Sequence, residues 1–197
     1  MSDLGQDDDD AGESLAGSIL IAMPGMEDPR FERAVILVCA HGVDHAMGLT
    51  LNRPLDGLTV ADLLDRLGVD TDESLPRQPV LFGGPVERER GFVLHTDDYE
   101  SDQGTIIVRS GVSLTATRDV LQAMASSDAR PRRALLALGY AGWGPGQLEQ
   151  ELRQNVWLTC TPDEALLFGD DHDHKWASAL ASIGVRAGSL SSLSGSA

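Results

Sequence analysis

Residues 34–51 read Ala-Val-Ile-Leu-Val-Cys-Ala-His-Gly-Val-Asp-His-Ala-Met-Gly-Leu-Thr-Leu, and this stretch decides the class of fold. The continuous, largely β-branched run over 34–40 predicts a strand that is buried on both faces. A short polar turn, 41–45, separates this run from a second strand candidate at 46–51. Because the turn is short, the two strands are predicted to pair as an antiparallel hairpin.

Strand and helix patterns alternate irregularly on both sides of this hairpin. Thr59 is a suitable N-cap for a helix that Gly68 ends, and Pro145 suits the first position of another helix. Other helices are predicted at 117–124, 163–168 and 175–183. Other strands are predicted at 18–22, 80–82, 91–94, 105–108, 133–138 and 156–160. The order does not repeat as a βαβ series, which favours an α+β fold or a mixed sheet with helices.

Composition limits the class of protein. The chain has 197 residues, of which 42% are hydrophobic, and this is sufficient for one domain with a core. The net charge of −16 disfavours nucleic acid and anionic membrane surfaces as partners. Two distant cysteines cannot form a disulfide framework, so a reducing, cytoplasmic setting is predicted. The N-terminus shows no secretory signal pattern, and no apolar run is long enough to span a membrane.

The two ends of the chain differ in composition from the middle. Residues 1–16 carry six acidic side chains, including four consecutive aspartates at 7–10, and are predicted to be a disordered acidic tail. The chain ends in a serine-rich stretch, of which 192–197 are predicted to be a frayed tail. Between them, 17–191 are predicted to form a single domain.

Three residues are candidates for catalysis. Cys39 and His41 are two apart on a predicted strand, which would place both side chains on the same face. An imidazole beside a thiol can produce a nucleophilic thiolate. The alternative is that Cys39 is a small core residue and His41 a turn residue. His95 ends another predicted strand, where it could be a general base, a ligand or a capping residue.

Glycine-rich segments supply candidates for ligand binding. Gly83 and Gly84 follow one predicted strand, while the second segment, 139–146, follows another and contains Gly142, Trp143 and Gly144. A glycine-rich turn between a strand and a helix can present backbone N–H groups to an anion. Tight turns and close packing are the alternative. Trp143 is unusual in a plain turn and could form the floor of a pocket.

Other polar groups are weaker candidates. Asn52 and Arg53 end the second strand of the hairpin, and Arg53 could bind a carboxylate or phosphate, or pair with a surface acid. The two histidines in 171–174 are not at the helical spacing of a zinc motif, so no metal and no cofactor are predicted. Residues 130–133 form a small basic cluster, which is a weak signal for nucleic acid.

Several of these segments together resemble the YqgE/AlgH family. The matching blocks are Ile21-Ala22-Met23-Pro24, Cys39-Ala40-His41, Ala46-Met47-Gly48-Leu49, Asn52-Arg53-Pro54, Gly83-Gly84-Pro85-Val86, Arg90-Gly91-Phe92-Val93-Leu94-His95 and Gly139-Tyr140-Ala141-Gly142-Trp143-Gly144-Pro145-Gly146-Gln147-Leu148-Glu149. The resemblance covers about residues 17–191. It implies a bacterial, cytosolic α+β domain with a strongly bent, barrel-like sheet and peripheral helices.

The family resemblance does not imply a reaction. Some members are labelled regulators of transcription, notably of alginate synthesis, although this sequence contains no recognisable DNA-binding motif. The position between Cys39 and His41 is usually glutamate in the family and is Ala40 here, which weakens a Cys-Glu-His relay.

Three hypotheses therefore stand. The first, which we favour, is a regulatory or binding protein that takes a small molecule or a protein partner in a groove near the glycine-rich loops. The second is a thiol-dependent enzyme or redox sensor. The third is a protein that binds DNA.

Overall fold

A computed structural model describes residues 14–101 and 103–190. Within these residues the strands are β1 (Ile19–Ala22), β2 (Val35–His41), β3 (Ala46–Thr50), β4 (Pro54–Thr59), β5 (Pro79–Phe82), β6 (Val86–Thr96), β7 (Thr105–Arg109), β8 (Val112–Thr115), β9 (Ala134–Trp143) and β10 (Trp157–Cys160). The helices are α1 (Val60–Arg66), α2 (Arg118–Ala125), α3 (Gln147–Arg153), α4 (Glu164–Phe168), α5 (Lys175–Ser182) and α6 (Ala187–Leu190). The α+β class is confirmed.

One bent sheet contains all of these strands. The main path runs β10-β1-β2-β3-β9-β6-β8-β7, and β5 joins β4 to β9 beside it. The predicted hairpin is present, because β2 and β3 pair antiparallel with Leu37 opposite Leu49. The pairing of β5 with β9 is parallel, whereas the other strand pairs within the described residues are antiparallel.

The sheet curls until its two ends approach each other. Arg109, in the edge strand β7, donates to the backbone oxygen of Gly17, which precedes β1, and to that of Pro162, which follows β10. The inner face of this half-barrel forms the largest core cluster. Its members include Ile19, Leu37, Leu49, Phe92, Leu94 and Leu114, with Trp176 and Leu180 of α5.

Two further clusters cover the outer face. Leu148 of α3 packs with Leu20, Ile36 and Trp143, while α1 and α2 contribute Leu64 and Met124 to a separate cluster against β5, β6 and β9. The first residues of β2 are therefore buried on both faces, which explains the unbroken apolar run in the sequence.

Side-chain caps mark the start of α1 and α4. Thr59 caps α1 as predicted, and it forms a reciprocal capping box with Asp62. The prediction that Pro145 is the first residue of a helix is wrong, since α3 begins at Gln147. Gly146 has a left-handed backbone with φ of 67°, and this conformation separates Pro145 from the helix.

The structure corrects several predicted bounds of strands and helices and adds elements that were not predicted. β6 and β9 are longer than predicted, β4 and β8 were not predicted, and α6 lies beyond the last predicted helix. Residues 1–13 and 191–197, which contain most of the two predicted tails, lie outside the described residues. Leu15, which was predicted to lie in the N-terminal tail, packs against the outer cluster that contains Leu148. None of the described helices is both long and apolar enough to span a membrane.

Candidate functional site

Cys39 lies inside the half-barrel. Its side chain belongs to the inner core cluster, and its Sγ is 3.5 Å from the backbone oxygen of Leu37. Burial raises the pKa of the thiol to about 12, because an apolar surrounding disfavours the charged thiolate. The buried, protonated thiol does not favour the predicted role of Cys39 as a nucleophile.

His41 does not share a face with Cys39. The pairing of β2 with β3 shifts register between Val38 and Ala40, so Cys39 occupies a β-bulge. A bulge breaks the alternation of side chains, and this invalidates the spacing argument for a Cys-His pair. His41 Nε2 is 2.7 Å from Glu149 Oε1 in α3, while the Leu15 N–H donates to its Nδ1 over 3.2 Å.

Since the Leu15 amide occupies Nδ1, Nε2 carries the proton and donates to Glu149 in the neutral ring. The His41 ring therefore ties the residues before β1 to α3. The pKa of Glu149 is lowered, first by hydrogen bonding to a backbone N–H and then by His41.

His95 is fully buried in β6. Its Nδ1 is 2.8 Å from the backbone oxygen of Thr96, so Nδ1 is the protonated nitrogen, and the Thr115 hydroxyl donates to Nε2 over 2.8 Å. Burial lowers the pKa of His95, because the core disfavours the charged ring. Both ring nitrogens are engaged within the core, so the geometry corresponds to a satisfied core histidine rather than a general base.

Asn52 and Arg53 hold a loop of this chain rather than facing an open site. The Asn52 amide accepts from the Val35 N–H and donates to the Arg33 backbone oxygen, at 2.9 and 2.8 Å. Arg53 donates to the backbone oxygens of Pro29 and Glu32. Their predicted role in ligand binding is not supported by these contacts, which fix the connection between β1 and β2.

Gly83 and Gly84 form a backbone crossing with the second glycine-rich segment. A Cβ atom at Gly83 would stand 2.2 Å from the Gly139 oxygen, and one at Gly84 would stand 2.0 Å from the Tyr140 carbonyl carbon. The Gly83 N–H donates to the Leu138 oxygen over 2.8 Å. Close packing therefore explains this glycine pair, which is the alternative to ligand binding that the sequence left open.

The second glycine-rich segment is mostly strand rather than turn. β9 extends to Trp143 because residues 141–143 pair with β3, where Met47 faces Gly142. The Gly144 N–H donates to Gln147 Oε1 over 3.0 Å, and this bond occupies the first amide after the strand. Gly142 and Trp143 remain as lining residues, and they lie in the walls of two separate clefts.

The first of these, the polar cleft, has a volume of about 740 Å³. It lies between residues 23–31 and α3, with Trp143 and Trp157 in its wall. Glu151 connects these groups, since its Oε2 accepts from both indole N–H groups, at 2.9 and 2.7 Å. Gln147 donates to its Oε1 over 2.8 Å.

Sequence reasoning did not identify Glu151 or Glu149. Gln147 and Glu151 are four apart, which places both on one face of a helix, directly after a segment that contains a tryptophan. That spacing could have indicated a polar pair beside Trp143. The sequence could not show that Trp157 also lies next to this face of the helix.

The second, the barrel mouth, has a volume of about 610 Å³ and opens into the interior of the half-barrel. Its lining is mostly apolar and includes Ala40, Met47, Phe92, Ile106, Leu114 and Tyr140. These residues come from six different strands. Arg90 and Glu87 stand at the opening.

The remaining candidates are engaged in structural contacts. Among residues 14–101 and 103–190, no group of three His, Cys, Asp or Glu side chains could hold a metal ion. In the basic cluster, Arg130 pairs with Asp72, and Arg132 and Arg133 pair with Glu164.

The family model described as AlgH-like matches residues 19–188. The chain belongs to the AlgH-like family. A UPF0301 protein of Caulobacter vibrioides is 64% identical over 190 residues, which are 96% of this chain and 97% of that protein. A UPF0301 protein of Ruegeria pomeroyi is 50% identical, over 93% of this chain and 99% of that protein.

Solved structures agree with the AlgH-like fold. The solution structure of the AlgH protein from Pseudomonas aeruginosa has a TM-score of 0.73 and 37% sequence identity, and covers 98% of both chains. A crystal structure from Corynebacterium diphtheriae has a TM-score of 0.70 over 87% of this chain and 88% of that one. At 19% identity, the second comparison concerns the fold alone. The resemblance to the YqgE/AlgH family and the bent, barrel-like sheet are thereby confirmed.

Proposed function

We propose that this AlgH-like protein is a regulatory binding protein that holds a small molecule or a protein partner against Gly142 and Trp143. One observation carries the proposal: these two residues, from the glycine-rich block that resembles the family, form a wall common to both clefts. Clefts of this size, lined by aromatic groups with a few fixed polar ones, are the usual form of ligand sites.

The state of the candidate catalytic groups supports binding over catalysis. The Cys39 thiol is buried and protonated, and both ring nitrogens of His95 are hydrogen-bonded inside the core. A thiol-dependent enzyme or redox sensor needs an accessible, ionised sulfur. The free thiols of Cys39 and Cys160 are compatible with a reducing compartment, which supports our proposal that the protein is cytoplasmic.

Any effect on transcription is proposed to be indirect. The arginines of the basic cluster are already paired with carboxylates, and the chain carries a net charge of −16. Phosphate contacts supply most of the affinity of non-specific DNA binding. A gel shift at low salt with random duplex DNA should show no complex, and a complex that weakens steeply with salt would contradict this part of the proposal.

The experiment is a ligand screen in which binding is detected at Gly142 and Trp143. Isotope-labelled protein is titrated with a fragment library, and the immobilised protein is exposed to a bacterial lysate. Bound fragments or partners should move the resonances of Gly142 and Trp143. The Gly142→Leu variant should lose these responses, because a Cβ there already reaches 3.4 Å from the Tyr140 ring and a longer side chain fills the opening.

Gly42→Leu is the matched control, since Gly42 lies in an exposed turn with open space around its Cβ position. It should fold and bind as the unaltered protein does. The proposal is wrong if neither the screen nor the lysate gives a response that depends on Gly142.

A further inference from the structure

The barrel mouth has a graded lining. At its floor, Phe92 and Leu114 are 4% and 2% exposed. At its rim, Val86 and Ile106 are 36% and 45% exposed, and they are two of the few large apolar side chains that the described residues leave open to solvent. An apolar surface that continues from solvent into a core is the form of a binding site, and barrel mouths are frequent ligand sites.

One positive charge stands at this opening. The Arg90 guanidinium lies 5.1 Å from the centre of the Phe92 ring, and its Nη1 is 3.3 Å from Glu87 Oε2. Both side chains of this ion pair are about half exposed, and they share a single long contact. Exposed pairs of this kind are weak, so another carboxylate can replace Glu87 at little cost.

Glu87 also occupies a strained position. It is a non-glycine residue with a φ of 47°, in the left-handed region that such residues rarely adopt. The strand β6 is irregular here, since its pairing with β9 shifts register between Val86 and Gly91. The carboxylate that pairs with Arg90 is therefore presented by a distorted backbone, whereas the Arg90 guanidinium lies over the Phe92 ring at the floor of the mouth.

We propose that the barrel mouth binds an amphiphilic carboxylate, such as a medium-chain fatty acid. The acyl chain lies against Phe92 and Leu114, and the carboxylate replaces Glu87 on Arg90. The inference rests on the proposed function and names the ligand class for one of its two clefts. It follows from the combination of an apolar interior with one arginine at the rim, a combination that matches a ligand with one apolar end and one anionic end.

The test uses decanoate below its micelle concentration, with binding measured by calorimetry and by resonance shifts of the lining residues. Saturable binding to one site is expected. Octanoate should bind more weakly, by about fourfold for each methylene that is not buried. Decyltrimethylammonium, which has a comparable chain and the opposite charge, should bind much more weakly.

Substitutions at the rim separate the charge from the apolar contact. Arg90→Gln should weaken decanoate binding by about fivefold or more and leave decanol binding unchanged, because only the anion uses the guanidinium. Arg88→Gln is the matched control, since Arg88 lies over Phe82 and outside the lining. Glu87→Gln should tighten decanoate binding, because it removes the competing carboxylate.

Ala116→Leu fills the mouth from the β8 end and should abolish binding of both decanoate and decanol. If this variant does not fold, Gly142→Leu provides the same test from β9. The inference is overturned if decanoate shows no saturable binding, if Arg90→Gln and Arg88→Gln behave alike, or if only a peptide or a second copy of the chain occupies the mouth. In those cases, if a fragment or a lysate protein still binds and this binding is lost in Gly142→Leu, the proposed function is retained.

Discussion

At the scale of single residues, buried ionisable groups determine how the protein responds to pH. The Cys39 thiol has apolar neighbours on the inner face of the sheet, so its charged form is disfavoured. Lys175, the single lysine of the sequence, is 3% exposed and donates to the Leu51 backbone oxygen. As pH rises, the raised pKa of Cys39 makes the free energy of unfolding fall, whereas the lowered pKa of Lys175 makes it rise.

Cys39 should resist alkylation in the folded state. In a Cys160→Ser background, iodoacetamide at pH 8 should modify Cys39 only as fast as the protein unfolds, because the pKa of the thiol is about 12 and the sulfur is buried. His41→Ala should leave this protection unchanged in protein that stays folded. Rapid modification of folded protein, slowed by His41→Ala, would restore the nucleophile hypothesis.

Lys175 should make stability increase with pH over a defined range. Burial lowers the pKa of its ammonium group to about 8 from the ordinary 10.5. Between these values the unfolded chain binds the proton and the folded chain does not, so the free energy of unfolding rises with pH. Below pH 8 both states are charged, and the folded state carries the full cost of burial, of the order of 3 kcal/mol.

Lys175→Met is expected to be more stable than the unaltered protein at pH 7, by about 1–3 kcal/mol. Urea denaturation at several pH values should show this difference shrinking between pH 8 and 10.5. Lys175→Arg retains its charge and should be the least stable of the three. A difference that does not vary with pH would show that the ammonium group keeps its ordinary pKa.

At the scale of elements, α3 is attached to the sheet by carboxylates rather than by apolar contacts alone. Leu148 is its only fully buried side chain, while Glu149 contacts His41 of β2. Glu151 accepts from Trp143 at the end of β9 and from Trp157 at the start of β10. The helix therefore fixes the wall of the polar cleft.

Glu151→Ala should destabilise the protein by about 1–3 kcal/mol, because two buried indole N–H groups lose their acceptor. Glu151→Gln keeps one acceptor oxygen and should cost less. Urea denaturation followed by tryptophan fluorescence measures both. Gln150→Ala, at an exposed position of the same helix, serves as the control. Equal stabilities for Glu151→Ala and Gln150→Ala would mean that the carboxylate does not hold the two indoles.

At the scale of the whole molecule, the half-barrel is held curled by contacts between its two ends. β7 lies at one end of the sheet path and β10 at the other, and Arg109 donates to backbone oxygens near the second end. This arrangement also encloses the barrel mouth, since Ile106 of β7 faces Leu114 across the adjacent strand pair.

Arg109→Ala should loosen this closure. A loss of about 1–2 kcal/mol is expected, since two hydrogen bonds from a charged donor are removed at a partly buried position. Amide exchange should accelerate first in β7 and at Gly17. Arg77→Ala, in an exposed loop, is the control. Unchanged exchange in β7 would show that the sheet keeps its curl without Arg109.

Local chemistry was sufficient to predict the hairpin, the capped helix α1 and the family. An apolar run that is interrupted by a short polar turn favours a hairpin, and the side chains of Thr59 and Asp62 each accept from the other's backbone N–H at the start of α1. In each case the deciding interactions lie within a few residues or depend on residue type alone.

Tertiary structure decided where the candidate side chains point. The sequence pattern predicted that Cys39 and His41 share one face. In the structure, a bulge in the pairing of β2 with β3 directs the His41 side chain toward Glu149 of α3. The barrel mouth joins residues of six strands, and its shape exists only after the sheet has curled. Sequence alone determined the hairpin and the capped start of α1, because those interactions are local. The clefts and the partners of the ionisable groups required the fold, because they depend on contacts between residues far apart in the chain.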